Sequence, residues 1–295
     1  MDNRLKSLKS NVLHALFLVV SLIWVYPVIW AITSSVKTTK EMYSGSIKPW
    51  PDKLEWSFFL PGNWGQLKGV FQFSNFSKAW YIADFQKYFV NTVIFTALVV
   101  VIILVLCILT GYVLGRYSFP GKIVFVSLIS ATMFIPSGYT IIPIWQLINA
   151  LGLGKSIWGL VLAESGGTHV LYILLFMAYF AGIPKDLEES SRIDGAGFFR
   201  TFMFVMLPLA KPVMATTVIL QLIHTWNSFF IPLIFTVHRP DLRTLGVGLY
   251  TFVKDYSSDL SGMAAGITIS FIPIIIVFIL FQRYFVEGIA GAVKG

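Results

Sequence analysis

Charge is scarce in this sequence. Of 295 residues only 12% are Asp, Glu, Lys or Arg, against roughly 25% in an ordinary soluble domain. A soluble fold of this length needs a charged surface that the chain cannot supply. Cysteine is nearly absent: Cys107 stands alone in an apolar run, which excludes a disulfide framework and a Cys-rich metal site. His14, His169, His224 and His238 have no metal-ligand spacing. The stretch NALGLGKS (149–156) has Asn149 where a phosphate-binding loop needs its first Gly, and it follows a membrane run rather than a strand. No Ser-His-Asp or paired-carboxylate arrangement occupies a soluble segment, so no catalytic residue is assigned. Solenoid repeats and low-complexity tracts are absent too.

What is abundant is apolar. Hydrophobic residues make up 56% of the chain and aromatics 16%, with 26 Phe, and mean hydropathy is +0.77. This composition specifies a polytopic membrane protein. The net charge of +8 is spread along the chain beside the apolar runs, which suits lipid headgroups rather than nucleic acid.

Six stretches contain no Asp, Glu, Lys or Arg: 10–36, 88–115, 123–154, 165–184, 212–238 and 260–282. Each reaches the roughly 20 residues a spanning helix requires, so the expected fold is all-α with six transmembrane helices. The fourth span starts near Ile157 and thereby includes Glu164. The first run is too long for a signal-peptide core and no small-x-small cleavage site follows it, so it reads as an uncleaved span. With both termini cytoplasmic, inner and outer segments hold 11 basic residues each. Seven of the outer 11 lie in one long loop, 37–87; without it the count is 11 inside to four outside, which supports that orientation by the positive-inside rule. The outer segments carry seven acids, leaving about +4 outside and slightly favouring an anionic solute.

The domain reading follows: a cytoplasmic N-terminus with the first span (1–34), an extracytoplasmic loop (35–87), a transmembrane body (88–286) and a cytoplasmic tail (287–295). The outer loop contains KPWPDKLEW (48–56) and FFLPGNW (58–64) and reads as an ordered cap with interfacial aromatics.

The longest inner loop is IPKDLEESSRIDGAGFFRTFMFVMLPLAKP (183–212). Pro184 suits a helix start, and Asp186, Glu188 and Glu189 suit the positive end of the helix that follows. Leu187, Ser190, Ser191 and Ile193 form a small and apolar face. Gly195 permits a sharp turn, and a second amphipathic stretch runs from Phe198 to Met206. This helix–elbow–helix fits docking of another protein and interfacial anchoring equally well.

The pattern Glu189-Ser190-Ser191, three residues, Gly195, nine residues, Val205-x-Leu207-Pro208 resembles the EAA loop (EAA-x3-G-x9-I-x-LP) of ABC importer permeases, with matching spacing throughout. Ser190 and Ser191 replace two alanines and Val205 replaces Ile. The string RIDGA (192–196) and the tail QRYFVEGIAGAVKG (282–295) are similar to the carbohydrate-uptake, MalG-type members. The resemblance runs from the first span to the C-terminus. It implies a type I ABC importer permease fold and an inner-membrane location. It also implies a second, homologous permease, two ATPase subunits that carry ATP and Mg²⁺, an extracytoplasmic solute-binding protein and a saccharide substrate, with no cofactor on this chain. Glu188, Glu189, Ser190, Ser191, Arg192, Asp194, Gly195 and Pro208 would then form the coupling site for an ATPase.

A sugar path needs polar and aromatic groups in an apolar wall. PSGYTIIP (136–143) offers Tyr139 at a Pro/Gly break. AESGGTH (163–169) offers Glu164 and His169, ionisable groups within a span. QLIHTWNSFFIP (221–232), a stretch similar to the same family, offers His224, Trp226 and Asn227. The alternative for each is a kink or a bridge between helices. GYVLG (111–115) and GMAAG (262–266) read as small-xxx-small packing sites. Two rivals stay open: a permease for peptides or amino acids, and a secondary transporter with discontinuous spans, against which no paired inverted halves are visible.

Overall fold

The computed structural model describes residues 2–45, 47–55, 57, 60, 65, 69–166, 169–254 and 259–293. The side chains of 2–9, 137, 251, 253, 254 and 283–293 lie outside that description. Of FFLPGNW only Leu60 is among the described residues. Trp56, Gly167, Thr168 and Asp255, and the side chains of the tail motif from Arg283 onward, also fall outside them.

Among the described residues all regular structure is helical. In chain order the helices are α1 (Asp2–Ser34), α2 (Thr39–Tyr43), α3 (Ser74–Ser77), α4 (Phe85–Arg116), α5 (Lys122–Ala131), α6 (Ser137–Ala150), α7 (Ile157–Ser165), α8 (Val170–Ala181), α9 (Asp186–Ile193), α10 (Phe198–Thr201), α11 (Leu207–Leu209), α12 (Lys211–Trp226), α13 (Phe230–Thr236), α14 (Leu245–Lys254) and α15 (Leu260–Val293). A wide π turn, Phe202–Met206, joins α10 to α11.

Among the described residues three helices are long and apolar enough to cross a membrane unbroken: Ser10–Ser34, Phe85–Arg116 and Leu260–Gln282. Three bent helix pairs are long and apolar enough only when each is taken together: Lys122–Phe134 with Gly138–Ala150 at 108°, Ile157–Ser165 with Val170–Ala181 at 59°, and Phe198–Leu209 with Lys211–Trp226 at 72°. Six spans result if each pair counts as one. The break between α12 and α13 corrects the fifth expected span. The charge-free run 212–238 suggests one continuous helix, but α12 stops at Trp226 and α13 restarts at Phe230. Asn227 explains the stop. Its side-chain amide donates to the Ile223 carbonyl at 2.8 Å, a local bond of the kind that competes with helix continuation. Pro232 is tolerated in the first turn of α13, where its missing N–H breaks no helical bond.

The chain divides into two compact units. One comprises Met1–Gln86 and Gly248–Ile272. In it the cap after α1 is pinned by Asn75, whose amide donates to the carbonyls of Ser35 (2.9 Å) and Lys37 (2.8 Å). A capping box of Thr38 and Glu41 starts α2. Burial would push the Glu41 carboxyl up, but the hydrogen bonds of Thr38, the Asp52 amide and the Lys37 charge together outweigh it and hold the group below its ordinary value. At Gly266 a Cβ would lie 2.7 Å from the Phe85 ring, so the GMAAG stretch is a close-packing site.

The other unit comprises Lys87–Val247 and Pro273–Gly295. Its core gathers Phe95, Val99 and Ile103 of α4, Leu160 and Val161 of α7, and Phe176 and Phe180 of α8. In lipid such a core is held by packing, because the surroundings are as apolar as the core. Gly111 and Gly115 lie where α8 meets α4. A Cβ on Gly111 would stand 2.3 Å from Phe176 Cβ, and one on Gly115 would stand 2.7 Å from the Met177 carbonyl. Only glycine lets these two backbones approach so closely.

Candidate functional site

The elbow between α8 and α12 is built by its own sequence. α9 has three acids in its first turn and Arg192 in its last, which complements the helix dipole. It ends in a Schellman arrangement: the Ala196 amide bonds the Ser191 carbonyl and the Gly195 amide bonds the Arg192 carbonyl. Gly195 takes φ +78°, the left-handed conformation anticipated from its position. The first helical residue is Asp186, two residues after Pro184.

α9 has two unlike faces. Glu188 and Ser191 point inward and are buried. Glu188 accepts from Tyr112 and pairs with Arg116, while the Ser191 hydroxyl lies 2.8 Å from that of Thr201, joining the two limbs of the elbow. Glu189, Ser190, Arg192, Asp194 and Gly195 are exposed, as is Pro208 in α11. Around them stand the apolar side chains of Leu187, Ile193, Phe199 and Phe204, all exposed. The eight coupling residues read from the sequence thus divide into two that hold the elbow to the chain and six that it presents outward. Arg116, Tyr112 and Thr201 went unread in the sequence. The one available signal was an Arg directly after a small-xxx-small pair at the end of a span.

A second cluster gathers where α12 breaks. Glu164, buried on α7, accepts from the Ser228 hydroxyl at 2.9 Å, and its other oxygen lies 3.7 Å from His224 Nε2. The His224 side chain is 61% exposed, so the buried carboxylate meets the accessible surface through it. Trp226 is buried, with its ring edge-on to Phe89, and Asn227 beside it is exposed. His169 is half-buried before α8, and its carbonyl faces the Cys107 thiol at 3.7 Å. Tyr139 is exposed on α6. The structure therefore joins Glu164, His224 and the unforeseen Ser228, and sets Trp226 and Asn227 at the same helix end. Tyr139 and His169 make no hydrogen bond to this group among the described residues.

Comparison with known proteins gives a consistent picture. The sequence model of the family described as "Binding-protein-dependent transport system inner membrane component" matches residues 107–291. The chain is 36% identical over 271 residues to the "Probable ABC transporter permease protein YurM" of Bacillus subtilis (strain 168), covering 92% of this chain and 84% of that one. It is 31% identical over 282 residues to the "Diacetylchitobiose uptake system permease protein NgcG" of Streptomyces coelicolor, covering 95% and 86%. A solved bacterial ABC transporter "involved in the import of the acidic polysaccharide alginate" contains a chain that superposes with a TM-score of 0.76 at 25% identity, covering 97% of this chain and 98% of that one.

Proposed function

This chain belongs to the family of binding-protein-dependent transport system inner membrane components, and from that membership we propose that it passes a saccharide through the membrane while partner subunits hydrolyse ATP. It is a membrane-embedded permease subunit of an ABC importer, with the type I fold of that class. The proposed assembly adds a second, homologous permease, two ATPases with ATP and Mg²⁺, and an extracytoplasmic solute-binding protein. Both termini lie on the cytoplasmic side in this reading, which puts the elbow at the ATPases. The domain limits at 34, 87 and 286 follow the same orientation.

The observation that carries the coupling role is the division of α9 into a tied face and a free face. An interfacial anchor needs an apolar outer face flanked by basic residues. The elbow does expose Leu187, Ile193, Phe199 and Phe204 near Arg192 and Arg200, but Asp186, Glu189 and Asp194 are exposed among them, and anionic headgroups repel these acids. A mixed charged and apolar face backed by a fixed inner face suits a protein cleft. ATPase closure would press on this face and shift the permease between its two states.

The saccharide assignment draws on the diacetylchitobiose and alginate named for the relatives and on the residues at the helix break. Glu164, His224, Trp226 and Asn227, with Tyr139 and His169 as further candidates, supply hydrogen-bonding and aromatic groups of the kind sugars use. The test is uptake by the reconstituted complex across labelled saccharides, peptides and amino acids. ATP-dependent uptake of at least one saccharide is expected; uptake of peptides alone overturns the assignment.

A further inference from the structure

We propose that Arg116 and Glu188 form a positioning strut that delivers movement of the elbow to α4 and α8, leaving Glu189 as the acid that faces the partner. This deepens the coupling role of residues 183–212 and rests on it.

Glu188 and Glu189 are neighbours with opposite surroundings. Glu189 is exposed. Glu188 Oε2 lies 3.0 Å from Arg116 Nη2, with the two side chains 11% and 3% exposed. The Tyr112 hydroxyl donates to Glu188 Oε1 at 3.1 Å. Tyr112 and Arg116 are one turn apart on α4, so both project from one face and each takes one oxygen of the same carboxylate. Arg116 Nη1 donates to the carbonyls of Phe180 (3.1 Å) and Ile183 (2.6 Å) at the end of α8. One guanidinium therefore joins the last turn of α4, the carbonyl end of α8 and the first turn of α9. The Tyr112 ring is hemmed by Phe180, Phe198 and Phe202, with centroids 5.3, 5.7 and 4.9 Å away. The Ser191–Thr201 contact then binds the second limb of the elbow to the first.

A buried ion pair adds little net stability, because desolvation offsets most of the attraction, and an apolar replacement is often as stable. What it supplies here is direction. A greasy contact lets α9 slide along α4, whereas two donors on two carboxylate oxygens permit one placement. Coupling requires that an element with discrete arrangements be biased from one site and felt at another. A strut without slack meets that requirement.

The experiment uses the full transporter complex. Glu188→Ala, Arg116→Ala, the double variant and Glu188→Gln are compared for ATPase co-purification, uptake per ATP hydrolysed, and spin-label distance between positions 118 and 186, both exposed. The ATPase is expected to co-purify with every variant. Uptake per ATP should fall roughly 3- to 30-fold in each Ala variant, the double variant should be no worse than either single, and the distance distribution should broaden. Unchanged uptake per ATP, effects that multiply in the double variant, an unchanged distance distribution, or loss of the ATPase from Glu188→Ala would each overturn the strut. If the Ala variants do not accumulate in membranes, Glu188→Gln decides on the same readouts, since it keeps the side chain's size. Failure of the underlying coupling role looks different: Glu189→Arg would then leave both ATPase capture and uptake at wild-type levels.

Discussion

Two Arg–carboxylate pairs in the same unit share their chemistry and differ in their setting. Arg239 meets Asp241 in a two-pronged contact, 2.6 Å at Nη2 and 2.8 Å at Nε, with side chains 38% and 41% exposed and only Pro240 between them in sequence. Arg116 meets Glu188 at the longer distance of 3.0 Å, but both are buried and 72 residues separate them. The shorter pair lies in solvent, where water and salt screen it and the net value of such contacts is small. The longer pair joins three helix ends. Distance alone therefore misranks them, and burial together with sequence separation decides which pair shapes the molecule.

The largest expected effect tests that ranking directly. Arg116→Met leaves Glu188 buried without its partner and should lower stability in detergent by about 3–5 kcal/mol. Arg239→Met, which removes an exposed pair and a bond to the Lys155 carbonyl, should lower the thermal midpoint far less. Equal losses in the two variants would erase the distinction.

The next effect concerns the elbow that the buried pair holds. Gly195 has φ +78° and open space around it, whereas Gly197 has an ordinary φ of −76° and the same open space. Gly195→Val should cost roughly 1–3 kcal/mol in backbone strain and abolish sugar-stimulated ATP hydrolysis and uptake while the chain still inserts. Gly197→Val adds no such strain and should keep stimulated hydrolysis. Loss in both would show that the outer surface, rather than the turn, is what the substitution damages.

A smaller effect belongs to the helix break. Glu164→Gln keeps an acceptor for Ser228 but loses its charge toward His224. Asn227→Leu removes the bond to Ile223. Each should raise the half-saturating saccharide concentration roughly 2- to 10-fold, with the ATPase still bound. For Glu164→Gln the preference between acidic and neutral sugars should also change. Uptake at wild-type affinity by both variants would leave these residues a purely structural role.

Much of the elbow was legible because its signals are local. Acids in a first turn, a Gly after the last turn and a Leu-Pro beyond it lie within one short segment, and the observed Schellman turn at Gly195 follows from them. The spans were legible from missing charge, and the start of α7 at Ile157 agrees with the reading that put Glu164 inside the fourth. The break after Trp226 was not legible, since Asn227 ends the helix through a side-chain bond to its own backbone and the nearest Pro is five residues on. The Arg116–Glu188 pair was beyond reach for another reason. Nothing in either local sequence names its partner, and only the glycine-permitted approach of α4 and α8 brings them together.

The smallest effect completes the contrast between the two pairs. The Arg239 hydrogen bond holds the Asp241 carboxyl down to about 2, against a mild opposing effect of burial and with further help from the charges of Arg239 and Lys87. An ordinary Asp titrates near ~3.9. A depressed carboxyl contributes stability at pH values above its unfolded value and loses it as pH falls through the folded one. The contribution of this pair is therefore constant from neutral pH down to about 4 and fades between about 4 and 2. Thermal melts of wild type and Asp241→Asn should thus differ by a small, fixed amount over the range of transport assays, and the two curves should converge only below about pH 4. High salt should shrink the difference. The loop has other supports that the substitution spares, since the Asn91 amide donates to the carbonyls of Asp241 and Arg243 and Thr92 accepts from the Leu245 amide. A difference that widens on acidification, or that persists undiminished in molar salt, would mean that this exposed pair behaves like the buried one.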